Sequence, residues 1–170
     1  MSALTIYPAD RPQQGNTSRD FAAIAERLAS IGVQFERWRA EAEFGADAVA
    51  QDVLNAYQGS IDRLKSQYGF QSVDVISLKA DHPNKDQLRQ KFLAEHTHAD
   101  FEVRFFVEGR GLFYLHVEDQ VYAVLCEQGD LIRWACSNPA PVSNPPTDSW
   151  PTFCNVSRRC RVAWSLHLPT

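Results

Sequence analysis

No apolar run in this chain approaches the roughly 18 residues that a membrane-spanning helix needs. Nothing at its start reads as a signal peptide either, because Met1-Ser-Ala-Leu4 leads straight into the strand-like Leu4-Thr-Ile-Tyr7. A cytoplasmic protein without a membrane partner is expected. The four cysteines show no Cys-x-x-Cys spacing, which argues against a zinc cluster or a disulfide framework. There is no basic excess: 17 Lys and Arg stand against 21 Asp and Glu, a net charge of −4, so nucleic acid is not the expected partner. Glycine is missing after Gly129. What is present is otherwise ordinary: 170 residues, 44% hydrophobic and 22% charged, enough for one domain with a full core.

The chemistry concentrates in Phe92-Leu-Ala-Glu-His-Thr-His-Ala-Asp-Phe-Glu-Val-Arg-Phe-Phe-Val107. His96, His98, Glu102 and Arg104 share one parity, so an extended segment turns all four to one face. The opposite parity reads Phe101, Val103, Phe105 and Val107, which must be buried. The polar face then lines either solvent or a cavity. Two imidazoles and a carboxylate converging on a point suit a divalent transition metal, such as non-haem iron with open positions. The turn Glu108-Gly-Arg-Gly111 follows, with the glycines of a tight hairpin.

Around this stretch the hydrophobic pattern predicts both helices and strands. Residues 4–7 read as an edge strand stopped by Pro8. Thr17, with Asp20 three residues on, resembles a capping box for a helix over 21–28, ending near Gly32. Residues 33–38 alternate as a strand. A long helix is expected over about 47–68, with Val49, Val53, Tyr57, Ile61 and Leu64 buried and Gly69 as its C-cap. Residues 73–78 read as a strand and 84–92 as a short helix capped by Asn84. Strands then follow at 112–117, 120–126 and from Gly129-Asp130 onward. The class is mainly β with N-terminal helices (α+β), in an antiparallel jelly-roll barrel. We divide this single domain, 1–170, into N-terminal strands and helices (1–92), a barrel core (93–132) and an atypical tail (133–170).

The tail differs in composition. Residues 131–170 hold six of the nine prolines, three of the four cysteines and four arginines against one acid, Asp148. The segment Asn138-Pro-Ala-Pro-Val-Ser-Asn-Pro-Pro146 suits neither helix nor strand.

On Glu95-His-Thr-His-Ala-Asp-Phe-Glu-Val-Arg104, the Gly-Arg-Gly turn and Gly129-Asp-Leu-Ile132, the chain resembles the acireductone dioxygenases, cupin enzymes of methionine salvage. The resemblance covers about residues 1–132. It implies His96, His98 and Glu102 as metal ligands, Arg104 at the substrate, and one Fe2+ or Ni2+ per chain. The implied partners are O2 and the small-molecule acireductone 1,2-dihydroxy-5-(methylthio)pent-1-en-3-one, acted on by a monomer. Iron would give a 2-oxo acid and formate; nickel would give methylthiopropionate, formate and carbon monoxide. The family's second motif should continue from Gly129-Asp130 into Pro-x-Gly-x-x-His, with a fourth ligand near position 140. Here that position is Ala140. Cys136, Cys154, Cys160 and His167 follow without a recognisable ligand spacing. The simplest account is a frame shift near codon 132, which would leave the barrel short of its last strands.

His116 falls in a strand context unsuited to a direct ligand. The competing readings are a non-catalytic metal- or small-molecule-binding cupin and a cupin sugar isomerase, for which a pocket with Arg104 as its sole cation gives little support.

Overall fold

A computed structural model of the chain describes residues 1–45, 47–70, 72–79, 102–134 and 159–167. The expected helix over 84–92 lies outside the described residues, as do His96 and His98. The described elements are strands β1 (Ala3–Pro8), β2 (Asn16–Ser18), β3 (Val33–Arg37), β4 (Ser72–Lys79), β5 (Glu102–Glu108), β6 (Arg110–Val117), β7 (Gln120–Glu127), β8 (Asp130–Trp134) and β9 (Arg159–His167). The helices are α1 (Phe21–Ala29), α2 (Ala50–Ala56) and α3 (Gln58–Tyr68). The strands form two antiparallel sheets, one ordered β2-β1-β7-β6 and the other β3-β8-β5-β9-β4. This is the mainly β, jelly-roll class that the sequence predicts, with the three described α-helices in the N-terminal part, interleaved with β1 to β3 and ahead of β4 to β9.

Two apolar clusters organise it. Between the sheets, Leu4, Leu115, Tyr122 and Val124 of the first pack with Phe35, Phe106 and Ile132 of the second, and Ile24 and Leu28 of α1 close one side. On the outer face of the five-stranded sheet, Val53, Tyr57, Ile61 and Leu64 of α2 and α3 cover Val103, Phe105, Val107 and Leu131. The helical stripe is therefore as expected from Val53 to Leu64. Val49 is not part of it: it precedes α2 as the N-cap and is 60% exposed. The single long helix is in fact two, broken at Tyr57 (φ −113°, ψ 16°). Gly59 and Ser60, both weak helix formers, follow that break.

Four further expectations are corrected. β1 is not an edge strand, since it lies between β2 and β7. Thr17 sits in β2 opposite Thr5, and Asp20 itself caps α1, its carboxylate accepting from Ala23 N–H at 2.8 Å. The Gly-Arg-Gly turn does not make a hairpin of β5 and β6, because these strands belong to different sheets. It carries the chain across the barrel, and a Cβ on Gly111 would stand 2.9 Å from the Phe106 ring. The tail, finally, does not leave the five-stranded sheet short. β9 runs between β5 and β4, antiparallel to both, with Val162 opposite Phe106 and His167 opposite Ser72.

Candidate metal centre

β5 is the third of five strands, hydrogen-bonded to β8 on one side and β9 on the other. Its two parities have different surroundings. Val103, Phe105 and Val107 belong to the cluster under the helices, where the Phe105 ring meets Tyr57 edge-on with centroids 5.3 Å apart and Trp38 at 5.8 Å. Phe106 belongs to the cluster between the sheets. Alternation puts the register positions of Glu102 and Arg104 on that same inner side. The choice between solvent and cavity is thus decided by the second sheet, against which Phe106 of this parity is buried.

In register, Glu102 pairs with Trp134 and Arg104 with Ile132 across to β8. Arg104 is half-buried. Among the described residues no group of three or more His, Cys, Asp or Glu could hold a metal ion. Of the expected triad these residues include Glu102 alone. The donor set itself fits a divalent ion of intermediate softness, since neutral imidazole and carboxylate are ligands that iron and nickel share. Of the tail's alternative donors, Cys160 lies opposite Leu78 and His167 opposite Ser72 in β9. Cys136 and Cys154 fall outside the described residues. His116 lies on β6 opposite Val121, with parity opposite to Phe113, Leu115 and Val117, which pack into the inter-sheet core. It is therefore turned away from the barrel interior.

Gly129-Asp130, the start of the second motif, is a fastening. Gly129 has φ +88°, and a Cβ there would meet the Trp38 carbonyl oxygen at 2.9 Å. Its N–H donates to the Phe106 carbonyl at 2.8 Å, while its own carbonyl accepts from Trp38 N–H at 2.7 Å. Asp130 is fully buried. One carboxylate oxygen accepts from Arg37 Nη2 at 2.7 Å and Nε at 3.1 Å. The other accepts from the Ser2 hydroxyl and from Glu127 N–H, the latter at 2.8 Å. Arg37 Nη2 also donates to Ser2 Oγ at 2.7 Å, and its guanidinium lies 4.9 Å over the Phe21 ring. Sequence reasoning singled out Asp130 but neither Ser2 nor Arg37. No local pattern marks them, because their partner is more than 90 residues away.

Two tyrosines near the barrel are perturbed. Burial, followed by the Tyr114 hydroxyl, pushes Tyr7 up to about 12. Burial also raises Tyr57, with the nearby Ala42 backbone opposing the rise and the Glu41 carboxylate adding to it.

Comparison with known proteins agrees with this architecture. The family model described as ARD/ARD' matches residues 4–134. An acireductone dioxygenase of Methylococcus capsulatus is 61% identical over 132 residues, covering 78% of this chain and 71% of the relative. One from an Enterobacter species is 55% identical over 140 residues, covering 82% and 78%. Among solved structures, an acireductone dioxygenase from Bacillus anthracis with a cadmium ion in its active centre superposes with a TM-score of 0.77. It is 25% identical, with 100% of this chain and 94% of that one covered. On a family match over most of its length and relatives well above half identical, this chain belongs to the acireductone dioxygenase (ARD/ARD') family.

Proposed function

We propose that the chain is a metal-dependent dioxygenase cleaving the acireductone 1,2-dihydroxy-5-(methylthio)pent-1-en-3-one with O2. His96, His98 and Glu102 are its metal ligands and Arg104 is its substrate-binding residue. The observation that carries this reading is the 61% identity to an acireductone dioxygenase across the segment containing all four residues. The inward parity of β5 agrees with it. One Fe2+ or Ni2+ per chain is the cofactor, and when bound it supplies Lewis acidity and a template for two substrate oxygens. The two neutral imidazoles and Glu102 bring a single negative charge to the site, which leaves it receptive to an anionic ene-diolate. The forked donors of Arg104 offer a cation to the substrate oxyanion or brace the Glu102 carboxylate. Phe106 and the inter-sheet core beside it keep water from the inner end of the strand.

The metal sets the products: a 2-oxo acid and formate with iron; methylthiopropionate, formate and carbon monoxide with nickel. Elemental analysis of the purified protein together with product analysis under O2 tests both parts. Oxygen uptake without cleavage of the acireductone sinks the assignment. We take the protein to be a cytoplasmic monomer, and sedimentation at micromolar concentration checks the second half of that statement.

Ala140 favours a second reading, a non-catalytic cupin that binds metal or a small molecule. Adding an ene-diol analogue anaerobically to metal-loaded protein separates the two. A new charge-transfer band followed by oxygen consumption supports the enzyme; binding without oxygen uptake supports the module. With three ligands in place of four, metal occupancy and turnover fall below those of a relative with the complete motif. Stoichiometric, tightly held metal with full turnover contradicts this. Resequencing across codon 132 tests the frame shift, which predicts Pro-x-Gly-x-x-His in another frame of the same DNA.

A further inference from the structure

Three aromatic rings bridge the two sheets. Phe113 of β6 reaches across from the four-stranded sheet and meets Phe106 of β5 edge-on, with centroids 5.8 Å apart. On its other side it meets Trp134 of β8 at 6.0 Å, with the rings tilted by 59°. All three pack in the apolar cluster between the sheets. The Phe106 ring fills the space over Gly111, where a Cβ would come within 2.9 Å of it. Phe113 is thus held from two sides.

Its place over the other sheet follows from register. Trp134 stands opposite Glu102 and Ile132 opposite Arg104, while Phe106 is the next residue of the Arg104 parity. The two rings that Phe113 meets therefore flank the Arg104–Ile132 pair. Burial separates the side chains around this pair. Phe106, Leu115 and Ile132 are at most 1% exposed and offer a ligand no surface. Phe113 is only half-buried. It is an aromatic ring with accessible surface, held in position, on the sheet that faces the strand of Glu102 and Arg104.

We propose that Phe113 is a specificity-determining residue for the acireductone, the wall that receives its thioether end. This rests on the reading of β5 as the strand that holds the metal and the ene-diolate. A substrate anchored there by its oxygens leaves over two methylene groups and a methylthio group, which gain by leaving water. Facing sheets stand about 10 Å apart, so a chain that extends away from β5 brings its apolar end to the four-stranded sheet. An aromatic ring suits that end better than an aliphatic side chain, because a polarizable thioether sulfur is drawn to a ring edge.

The metal-loaded chain is titrated without oxygen, once with the acireductone and once with 1,2-dihydroxypent-1-en-3-one, which lacks the methylthio group. Each Kd is read from the charge-transfer band. The ratio of the two constants isolates the thioether end, since folded fraction and metal content cancel in it. The unaltered chain is expected to bind the thioether compound about tenfold more tightly. Phe113→Ala should erase that preference. Phe113→Leu, which keeps an apolar side chain, should lower it about threefold. Phe105→Leu, the same change on the opposite parity of β5, should leave it intact. No band with either compound on the unaltered chain overturns the acireductone reading, and this proposal with it. Equal constants for the two compounds, a preference undiminished in the Phe113 variants, or one that Phe105→Leu lowers as much as Phe113→Leu does, each leaves that reading standing and overturns the role of Phe113.

Discussion

The two faces of β5 are built from adjacent residues of one strand, yet they meet opposite demands. Val103, Phe105 and Val107 are buried under α2 and α3 in an apolar cluster. The other parity, that of Arg104 and Phe106, belongs to the side of the second sheet, where Phe106 is buried but Arg104 is only half-buried. The first face holds the strand down. The second is where a carboxylate and a guanidinium can be kept on a rigid support, because a central strand with neighbours on both sides cannot shift its register. A site on β5 gains precision from a face that takes no part in the chemistry.

The sharpest test of this division is Glu102→Gln. It should remove most of the bound metal and lower turnover by more than about 100-fold, beyond the loss typical of supporting groups around a metal. Its urea midpoint in metal-free protein should hardly move, and a large fall in that midpoint would break the division. Phe105→Ala should behave in the opposite way. It empties a site between Tyr57 and Trp38 and should cost about 3–5 kcal/mol in urea unfolding. A smaller loss would mean that the helices collapse onto the strand.

Asp130→Asn tests the fastening that joins the two sides. It keeps the volume but weakens the bonds from Arg37, Ser2 and Glu127, and should cost about 2 kcal/mol by the same measurement. Asp20→Ala, remote from either face, removes only the α1 cap and should cost about 1 kcal/mol.

The smallest effect is one of pH. Tyr7, raised from 10.0 to about 12 in the folded chain, keeps its proton there when the unfolded chain has lost it. Its contribution to stability is complete below pH 10 and is lost as pH rises toward about 12. Urea midpoints measured from pH 9 to 12 should fall less steeply for Tyr7→Phe than for the unaltered chain. Parallel curves would refute the assignment.

The sequence was most legible where a residue's partner is set by periodicity. The alternation of β5 and the 53–57–61–64 stripe each specify a buried side without reference to the rest of the fold, and both are found in the structure. It was less legible at boundaries. Val49 fits the helical period but lies one residue before α2, and Thr17 has capping chemistry one strand too early. β9 carried a readable signal in Cys160, Val162, Trp164 and Leu166, alternating with Arg159, Arg161, Ala163, Ser165 and His167. The proline-rich stretch before it carries no period that leads into that pattern. The Gly-Arg-Gly turn was misread because glycine at a turn permits a reversal without saying which sheet receives the next strand.

By itself, then, the sequence determined which residues are candidates for the chemistry, which parity they share and which family they resemble, since these are properties of residue type and spacing along one chain. The tertiary structure alone decided which parity of β5 belongs to the side of the second sheet, that Asp130 is satisfied by Ser2 and Arg37, and that Phe113 meets Trp134 across the sheets. Each depends on segments far apart in sequence, brought together by the burial of two apolar clusters, and no local period encodes such a meeting.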